Sequence, residues 1–148
     1  MSAAVLDTNV LIFDTFEDSE FHSEATRGLD SVDRWCIPSM AFHELLWFFK
    51  GRDFQLAKAK AKVEEYLTNE KSTFAECTLD DVQFATERMK TYREYNDLVI
   101  LSVAGRLKLP LFSFDDGLRK MAVKNAIGLF EVRNDTATEE RSGSGKES

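Results

Sequence analysis

The stretch VLDTNVLIF, residues 5–13, places Asp7 and Asn9 inside an otherwise apolar run. Such a run predicts a short buried strand that is followed by a helix. An ionised carboxylate that leaves water without a partner costs several kcal/mol, and a whole domain keeps only about 5–15 kcal/mol of net stability. Asp7 therefore needs a compensating interaction. A turn, a helix cap and a bound metal ion are all open at this point.

The composition is that of an ordinary globular protein. The 148 residues are 43% hydrophobic and 30% charged, which suits one domain with a hydrophobic core. No apolar run reaches the ~18 residues of a membrane helix, and no signal peptide is evident, so we expect a cytoplasmic protein with no membrane partner. Cys36 and Cys77 are too few and too far apart for a disulfide framework or a zinc site, and we expect two reduced thiols.

The charge of the chain is unevenly distributed. The net charge of −7 argues against a nucleic-acid partner, because basic side chains supply the contacts to phosphates. Residues 1–49 contain nine acidic and two basic side chains, however, whereas residues 50–130 contain twelve acidic and fourteen basic ones and are net +2. The basic side chains of the second segment could line one face, although a solvated helix surface is the simpler interpretation.

Short apolar segments alternate with longer helical ones along the chain. Strands are predicted at residues 3–6, 35–38, 72–77, 109–114 and 128–132. Helices are predicted between them, at residues 10–16, 19–34, 41–69, 79–95, 97–109 and 116–126, with Ser39 as the cap of the third. This alternation predicts an α/β fold, a doubly wound parallel sheet with helices on both faces. The predicted domain spans residues 1–132, and the polar, Gly/Ser-rich residues 133–148 are predicted to form a disordered tail.

Four acidic positions do not fit a solvated surface. Asp7 follows the first strand, and Glu44 has apolar side chains three and four residues away on either side in its helix. Asp97 heads the most hydrophobic helix of the chain, and the pair Asp115 and Asp116 ends the fourth strand. An acid at the start of a helix can simply cap it or interact with its dipole, so each position alone has an ordinary explanation.

The four positions together indicate one site. Two of the acids end strands and two lie in helices that begin near the same sheet edge, where open α/β sheets bind ligands. Four carboxylates in one cleft would repel one another and take up protons unless a cation held them. Mg²⁺ or Mn²⁺ is the expected ion, because the chain has two histidines and no clustered cysteines to bind zinc.

Four segments resemble the motifs of PIN-domain ribonucleases, and the chain is similar in length and layout to the toxin subunits of VapBC-type toxin–antitoxin pairs. LDTNVLI resembles the first motif, which implies a family aspartate at Asp7 and a supporting role for Asn9. SMAFHELL resembles the second motif with Glu44, and NDLVILSVA the third with Asp97. LFSFDDGL resembles the fourth motif, with Asp115 as its acid.

The fourth segment departs from the family pattern, which is Thr-x-Asp. Ser113 stands where the threonine would be if Asp115 is the family acid, and Asp116 beside it is the other candidate for that acid. With Asp115 as the acid, the resemblance implies a supporting role for Ser113 and for Asp116. The resemblance covers about residues 3–132 and implies a three-layer α/β/α fold, with a five-stranded parallel sheet in the order 3-2-1-4-5. Strands 1 and 4 are then neighbours where the winding reverses, which is also where the four acidic positions indicate a ligand.

The resemblance implies a metal-dependent endoribonuclease. One or two Mg²⁺ or Mn²⁺ ions would be held, largely through water, by Asp7, Glu44, Asp97 and Asp115, and a water molecule would attack the RNA phosphodiester. Similar proteins form homodimers and are inhibited by an antitoxin protein. The Phe- and Trp-rich residues 41–49, with Phe54, are a candidate surface for these partners, although core packing is the simpler role for most of them.

Other functions remain open. A non-catalytic PIN-like module that binds a protein, or a PIN nuclease of RNA processing outside a toxin–antitoxin pair, would share these motifs. A phosphatase of the haloacid dehalogenase type needs a second aspartate where this chain has Asn9, and a response-regulator receiver needs a lysine after the fifth strand, which FEVRND lacks.

Overall fold

The computed structural model describes residues 1–133, so the predicted tail at residues 133–148 lies outside the described residues apart from Arg133. The strands are β1 (Ala3–Leu6), β2 (Arg34–Pro38), β3 (Ser72–Ala75) and β4 (Leu111–Phe112). The helices are α1 (Thr8–Thr15), α2 (His22–Ser31), α3 (Ser39–Gly51), α4 (Leu56–Thr68), α5 (Leu79–Arg88), α6 (Tyr95–Leu107) and α7 (Asp116–Lys124). One turn of 3-10 helix, Tyr92–Glu94, precedes α6. None of the helices in this range has the length and apolar composition to cross a bilayer.

The four strands form one parallel sheet in the order β3-β2-β1-β4. The central strand β1 is paired on both sides, so that Val5 lies opposite Cys36 of β2 and Leu111 of β4. The chain thus winds from β1 to β2 and β3 in one direction and returns to β4 on the other side. The predicted doubly wound parallel fold is confirmed.

The predicted fifth strand, residues 128–132, is reduced to a single parallel bridge between Leu129 and Leu111. The Leu111 N–H donates to the Gly128 carbonyl (2.9 Å), and the Phe130 N–H donates to the Leu111 carbonyl (2.8 Å). The segment lies beside β4, as the order 3-2-1-4-5 requires, but the sheet has four strands rather than five. Because β4 has only two residues, it offers too few backbone groups for a longer ladder.

The core lies on both sides of the sheet. Successive residues of a strand point to opposite faces. Accordingly, Ala4 and Leu6 of β1 pack in a hydrophobic cluster with α1, α2, α3 and α4, whereas Val5 packs in a second cluster with α5, α6 and α7. This arrangement has the three predicted layers, α/β/α, and it covers both faces of β1.

The helices differ from the predicted ranges by a few residues at several ends, and the larger differences concern α3, α4 and α5, the last of which ends at Arg88 rather than at residue 95. Ser39 does not cap α3, because Pro38 occupies the N-cap and Ser39 is already helical; its hydroxyl accepts a hydrogen bond from the Cys77 N–H (3.2 Å) instead. The helix predicted over residues 41–69 is broken between α3 and α4. Asp53 in this break has a φ of 54°, a left-handed conformation that ends the helical run.

Candidate active site

A cleft of about 490 Å³ opens at the carboxyl end of β1. The four acids that the sequence singled out all line it: Asp7, Glu44, Asp97 and Asp115. They come from four different elements, namely the ends of β1 and β4 and the helices α3 and α6. Since β1 and β4 are neighbours and the winding reverses between them, the cleft lies at the topological switch point of the sheet.

Asp7 lies at the bottom of the cleft, with only 4% of its surface exposed. It is the N-cap of α1, and its Oδ1 accepts a hydrogen bond from the Thr8 N–H (2.8 Å). Its Oδ2 accepts a hydrogen bond from the Ser113 hydroxyl (2.6 Å). Asp7 therefore both caps a helix and faces the cleft.

The electrostatic environment of Asp7 disfavours its charge. Burial, together with the negative charges of Asp97 and Glu44, raises the pKa of Asp7 to about 7, although the hydrogen bonds from Ser113 and Thr8 act in the opposite direction. A carboxylate with this pKa is half protonated near neutral pH unless a positive charge is nearby. The cleft is thus short of positive charge.

Glu44 is held at both carboxylate oxygens. The Thr8 hydroxyl donates to Oε1 (2.5 Å), and the Asn96 side-chain amide donates to Oε2 (2.9 Å). These two donors belong to α1 and α6, so they orient Glu44 of α3 from both sides of the cleft. The apolar neighbours that made Glu44 unusual in the sequence include Trp47 and Phe48, which line the same cleft.

Asp97 lies in the first turn of α6, whose residues Leu98–Ala104 are all buried. The buried helix predicted from its apolar composition is confirmed. Burial, with the charges of Asp115, Glu44 and Glu94, raises the pKa of Asp97 to about 6. Two carboxylates of the cleft thus bind protons more tightly than an ordinary aspartate, because each is desolvated beside other acids.

Of the two neighbouring acids after β4, Asp115 faces the cleft. Its Oδ1 also caps α7 by accepting hydrogen bonds from the N–H groups of Gly117 (2.8 Å) and Leu118 (3.4 Å). Asp116 is exposed and lines a separate cavity with Arg119. The geometry thus places Asp115, and not Asp116, with the other three acids.

Two predicted supporting residues connect the loop after β4 to the start of α1. Ser113 is buried, donates to Asp7 and accepts a hydrogen bond from the Asp115 N–H (3.0 Å). Asn9 accepts a hydrogen bond from the Phe114 N–H (3.3 Å) through its side-chain oxygen. Through these contacts, residues more than one hundred positions apart in sequence are held in one arrangement.

The donor set of the cleft fits a hard cation. All of its charged ligand atoms are carboxylate oxygens, and two of these carboxylates are raised in pKa by burial and mutual repulsion. Within residues 1–133, no three Asp, Glu, His or Cys side chains form a ready-made metal site. Mg²⁺ is commonly held by one or two carboxylates and keeps several waters, so it does not require three protein ligands.

Thr8 and Asn96 are the site residues that the motif-based prediction left out. Thr8 directly follows Asp7, and Asn96 directly precedes Asp97. Their proximity in sequence to two cleft acids was the available signal. Their function as donors to Glu44 depends on contacts across 36 and 52 residues of sequence, which no local pattern reveals.

Solved structures of similar fold include three toxin–antitoxin proteins. VapC20 from Mycobacterium tuberculosis, a sarcin–ricin loop cleaving toxin, gives a TM-score of 0.71 at 18% identity and covers 90% of this chain and 100% of its own. VapBC2 from Rickettsia felis, bound to a DNA fragment from its promoter, gives 0.63 at 15% identity, with coverage of 86% and 97%. A toxin–antitoxin complex from Klebsiella pneumoniae gives 0.54 at 20% identity, with coverage of 76% and 86%.

At these identities the structural likeness shows a shared fold. No curated protein sequence is similar to this one at a significant level. The sequence profile of the PIN domain, however, matches residues 4–124, which extend from β1 to the end of α7. The protein therefore belongs to the PIN domain family.

Proposed function

We propose that this PIN domain is a metal-dependent endoribonuclease and the toxin of a toxin–antitoxin pair. The observation that carries the proposal is the cleft, in which carboxylates from four separate elements face a common space. The raised pKa values of Asp7 and Asp97 support it, because buried acids that repel one another call for a compensating cation. RNA as the substrate is supported by the fold shared with VapC20, which cleaves the sarcin–ricin loop.

Mg²⁺ or Mn²⁺ is the proposed ion, and one or two such ions would be held by Asp7, Glu44, Asp97 and Asp115. When bound, the ion would neutralise charge on the attacked phosphate and leaving oxygen, and it would lower the pKa of the attacking water. The reaction would consume one water molecule, break one P–O bond and form one hydroxyl and one phosphomonoester.

The protein side chains would position these carboxylates. Ser113 and the Thr8 N–H fix the two oxygens of Asp7, so its orientation does not depend on the substrate. Asp115 uses Oδ1 for the helix cap, and its Oδ2 takes no part in that cap. Neither histidine lines the cleft: His43 is exposed, and His22 bonds through Nδ1 to a backbone carbonyl. Water is therefore the proposed nucleophile, and no covalent intermediate on the protein is invoked.

The test is cleavage of labelled single-stranded and structured RNA in Mg²⁺, in Mn²⁺ and in a chelator. We expect cleavage only when the ion is present, and a loss of at least about a hundredfold in Asp97→Asn, the order seen when electrostatic stabilisation is removed from an active site. The matched control is Asp30→Asn, an exposed acid on α2. Full activity in the chelator, or undiminished activity in Asp97→Asn, would reject the metal-dependent mechanism.

The proposed partners are a second copy of the chain and an antitoxin, in the cytoplasm. The solved relatives from Klebsiella pneumoniae and Rickettsia felis, which are toxin–antitoxin systems, support the antitoxin. Of the candidate partner surface at residues 41–49, the side chains of Ala41, Leu45 and Phe49 are buried in the core, so only its exposed side chains remain available. Co-expression with a small neighbouring gene product, followed by light scattering, would test both partners.

A further inference from the structure

The wall of the cleft beyond Glu44 is aromatic, and two basic side chains outside the cleft lie next to its rings. Trp47 and Phe48 line the same cleft as the carboxylates, and Trp47 is 66% exposed. The Lys50 Nζ lies 4.7 Å from the centre of the Trp47 ring, and the Arg52 Cζ lies 4.7 Å from the centre of the Phe48 ring. An exposed aromatic ring with cations next to it thus stands beside the carboxylates, which is an arrangement that can bind a ligand with both a flat ring and a negative charge.

We propose that Trp47 is a platform on which an unpaired nucleobase of the substrate stacks, while Lys50 and Arg52 contact the adjoining phosphates. This inference rests on the proposed ribonuclease function and specifies its substrate class. The substrate is an RNA strand, or the loop of a folded RNA, with at least one unstacked base next to the cleaved phosphate. Aromatic side chains bind such bases through their π-faces with little dependence on sequence.

The order of side chains along α3 matches the order of groups along a nucleic-acid strand. Trp47 lies three residues after Glu44, and Lys50 lies three residues after Trp47, so each successive pair is adjacent on the helix surface, with a rise of about 4.5 Å at each step. A carboxylate, an aromatic ring and a cation therefore follow one another out of the cleft. A strand whose phosphate lies at the carboxylates can place its next base at the ring and its next phosphate at the cation.

The charge of the protein means that contacts other than long-range attraction have to supply affinity for RNA. The chain has a net charge of −7, and the cleft itself is lined by four acids, so phosphates are repelled at long range. Stacking does not depend on net charge and adds affinity close to the reacting group. The two cations favour a phosphate-bearing strand over an apolar protein segment as the occupant, because they match the charge of phosphate.

The exposed indole provides a direct readout. Trp35, the other tryptophan of the chain, is only 7% exposed, so a stacked base should quench the emission of Trp47 selectively. The affinities of all variants are measured by the fluorescence anisotropy of a dye-labelled single-stranded adenine 12-mer of RNA, because the Trp47 variants lack the quenched indole, and chelator is present to prevent cleavage. The parent is compared with Trp47→Ala, with Trp47→Phe, which keeps an aromatic ring, and with Val123→Ala, an exposed apolar control on α7.

We expect Trp47→Ala to bind the strand about tenfold more weakly, Trp47→Phe to retain most of the affinity and Val123→Ala to be unchanged. An abasic strand of the same length should bind the parent about tenfold more weakly and should be insensitive to Trp47→Ala. In the cleavage assay, Trp47→Ala should raise KM and leave kcat nearly unchanged. Because Trp47 is exposed, the melting temperature of Trp47→Ala should equal that of the parent.

Three results would overturn the inference. The first is equal affinity of Trp47→Ala and the parent for the base-containing strand, and the second is equal loss of affinity for the abasic strand. The third is RNA cleavage by Trp47→Ala with an unchanged KM, which would leave the ribonuclease function intact. If the RNA affinity is unchanged and Trp47→Ala also changes from dimer to monomer in light scattering, the surface is assigned to a protein. Stacking of the strand on Trp47 without any cleavage by the parent would reject the ribonuclease function and leave the platform intact.

Discussion

Replacing Asp7 with asparagine should stabilise the metal-free protein and abolish its response to metal. The substitution keeps the shape of the side chain and removes its charge, which burial and the neighbouring acids disfavour. Because the pKa of Asp7 is raised from 3.8 to about 7, the folded state binds more protons than the unfolded state between these two values. The free energy of unfolding therefore falls as the pH rises through this window, and the contribution is lost above about pH 7.

The expected gain in stability of Asp7→Asn can be calculated from the raised pKa of Asp7. About three pH units correspond to about 4 kcal/mol, which is an upper limit for the cost of ionising Asp7 in the folded protein. The side-chain amide of asparagine cannot accept from both the Thr8 N–H and the Ser113 hydroxyl as the carboxylate does, and this mismatch offsets about 2 kcal/mol of the gain. At about 2–4 °C per kcal/mol for a domain of this size, Asp7→Asn should melt roughly 4–8 °C above the parent at pH 8 in chelator.

Thermal denaturation at pH 8 and pH 5, with chelator or with Mn²⁺, measures this prediction. At pH 5 the advantage of Asp7→Asn should disappear, because Asp7 of the parent is then protonated. With Mn²⁺ at pH 8 the parent should gain stability and the variant should not. Asp30→Asn, the exposed control, should follow the parent throughout. A variant that melts below the parent at pH 8 in chelator, or a parent that gains nothing from Mn²⁺, would contradict this electrostatic account of Asp7.

Three further predictions concern the site and the core. Asn96→Leu removes one of the donors to Glu44, so we expect about tenfold weaker Mn²⁺ binding in a thermal-shift titration, while the melting temperature in chelator changes little. The stabilisation by Mn²⁺ should shrink between pH 8 and pH 5 in the parent, since protons compete for the two carboxylates of raised pKa; a pH-independent gain would place the ion elsewhere. Gly28→Ala should destabilise the protein by about 1–3 kcal/mol in denaturant unfolding, because its Cβ would overlap the ring of Phe112. Gly51→Ala, where the Cβ meets open space, should be nearly neutral.

Much of the fold follows from local patterns of the chain. The run before Asp7 predicts a buried strand because its residues are apolar on both faces, and β1 is indeed covered by helices on both sides. The helix after Asn96 is apolar nearly all round, and the structure buries seven successive residues of it. The predicted strand at residues 128–132 is the exception, since a strand also needs a neighbour long enough to pair with it, and β4 has two residues.

The sequence also predicts some features of the acids in the cleft, whereas others depend on the folded structure. Local sequence is enough to show that Asp7, Glu44 and Asp97 stand next to apolar segments, because the spacing of side chains along a strand or helix sets which face they share. The folded arrangement was needed to show that Asp115 rather than Asp116 faces the cleft, and that Glu44 is held from α1 and α6. Adjacent residues have nearly the same local pattern, whereas the direction in which each side chain points is set by the packing of elements distant in the chain.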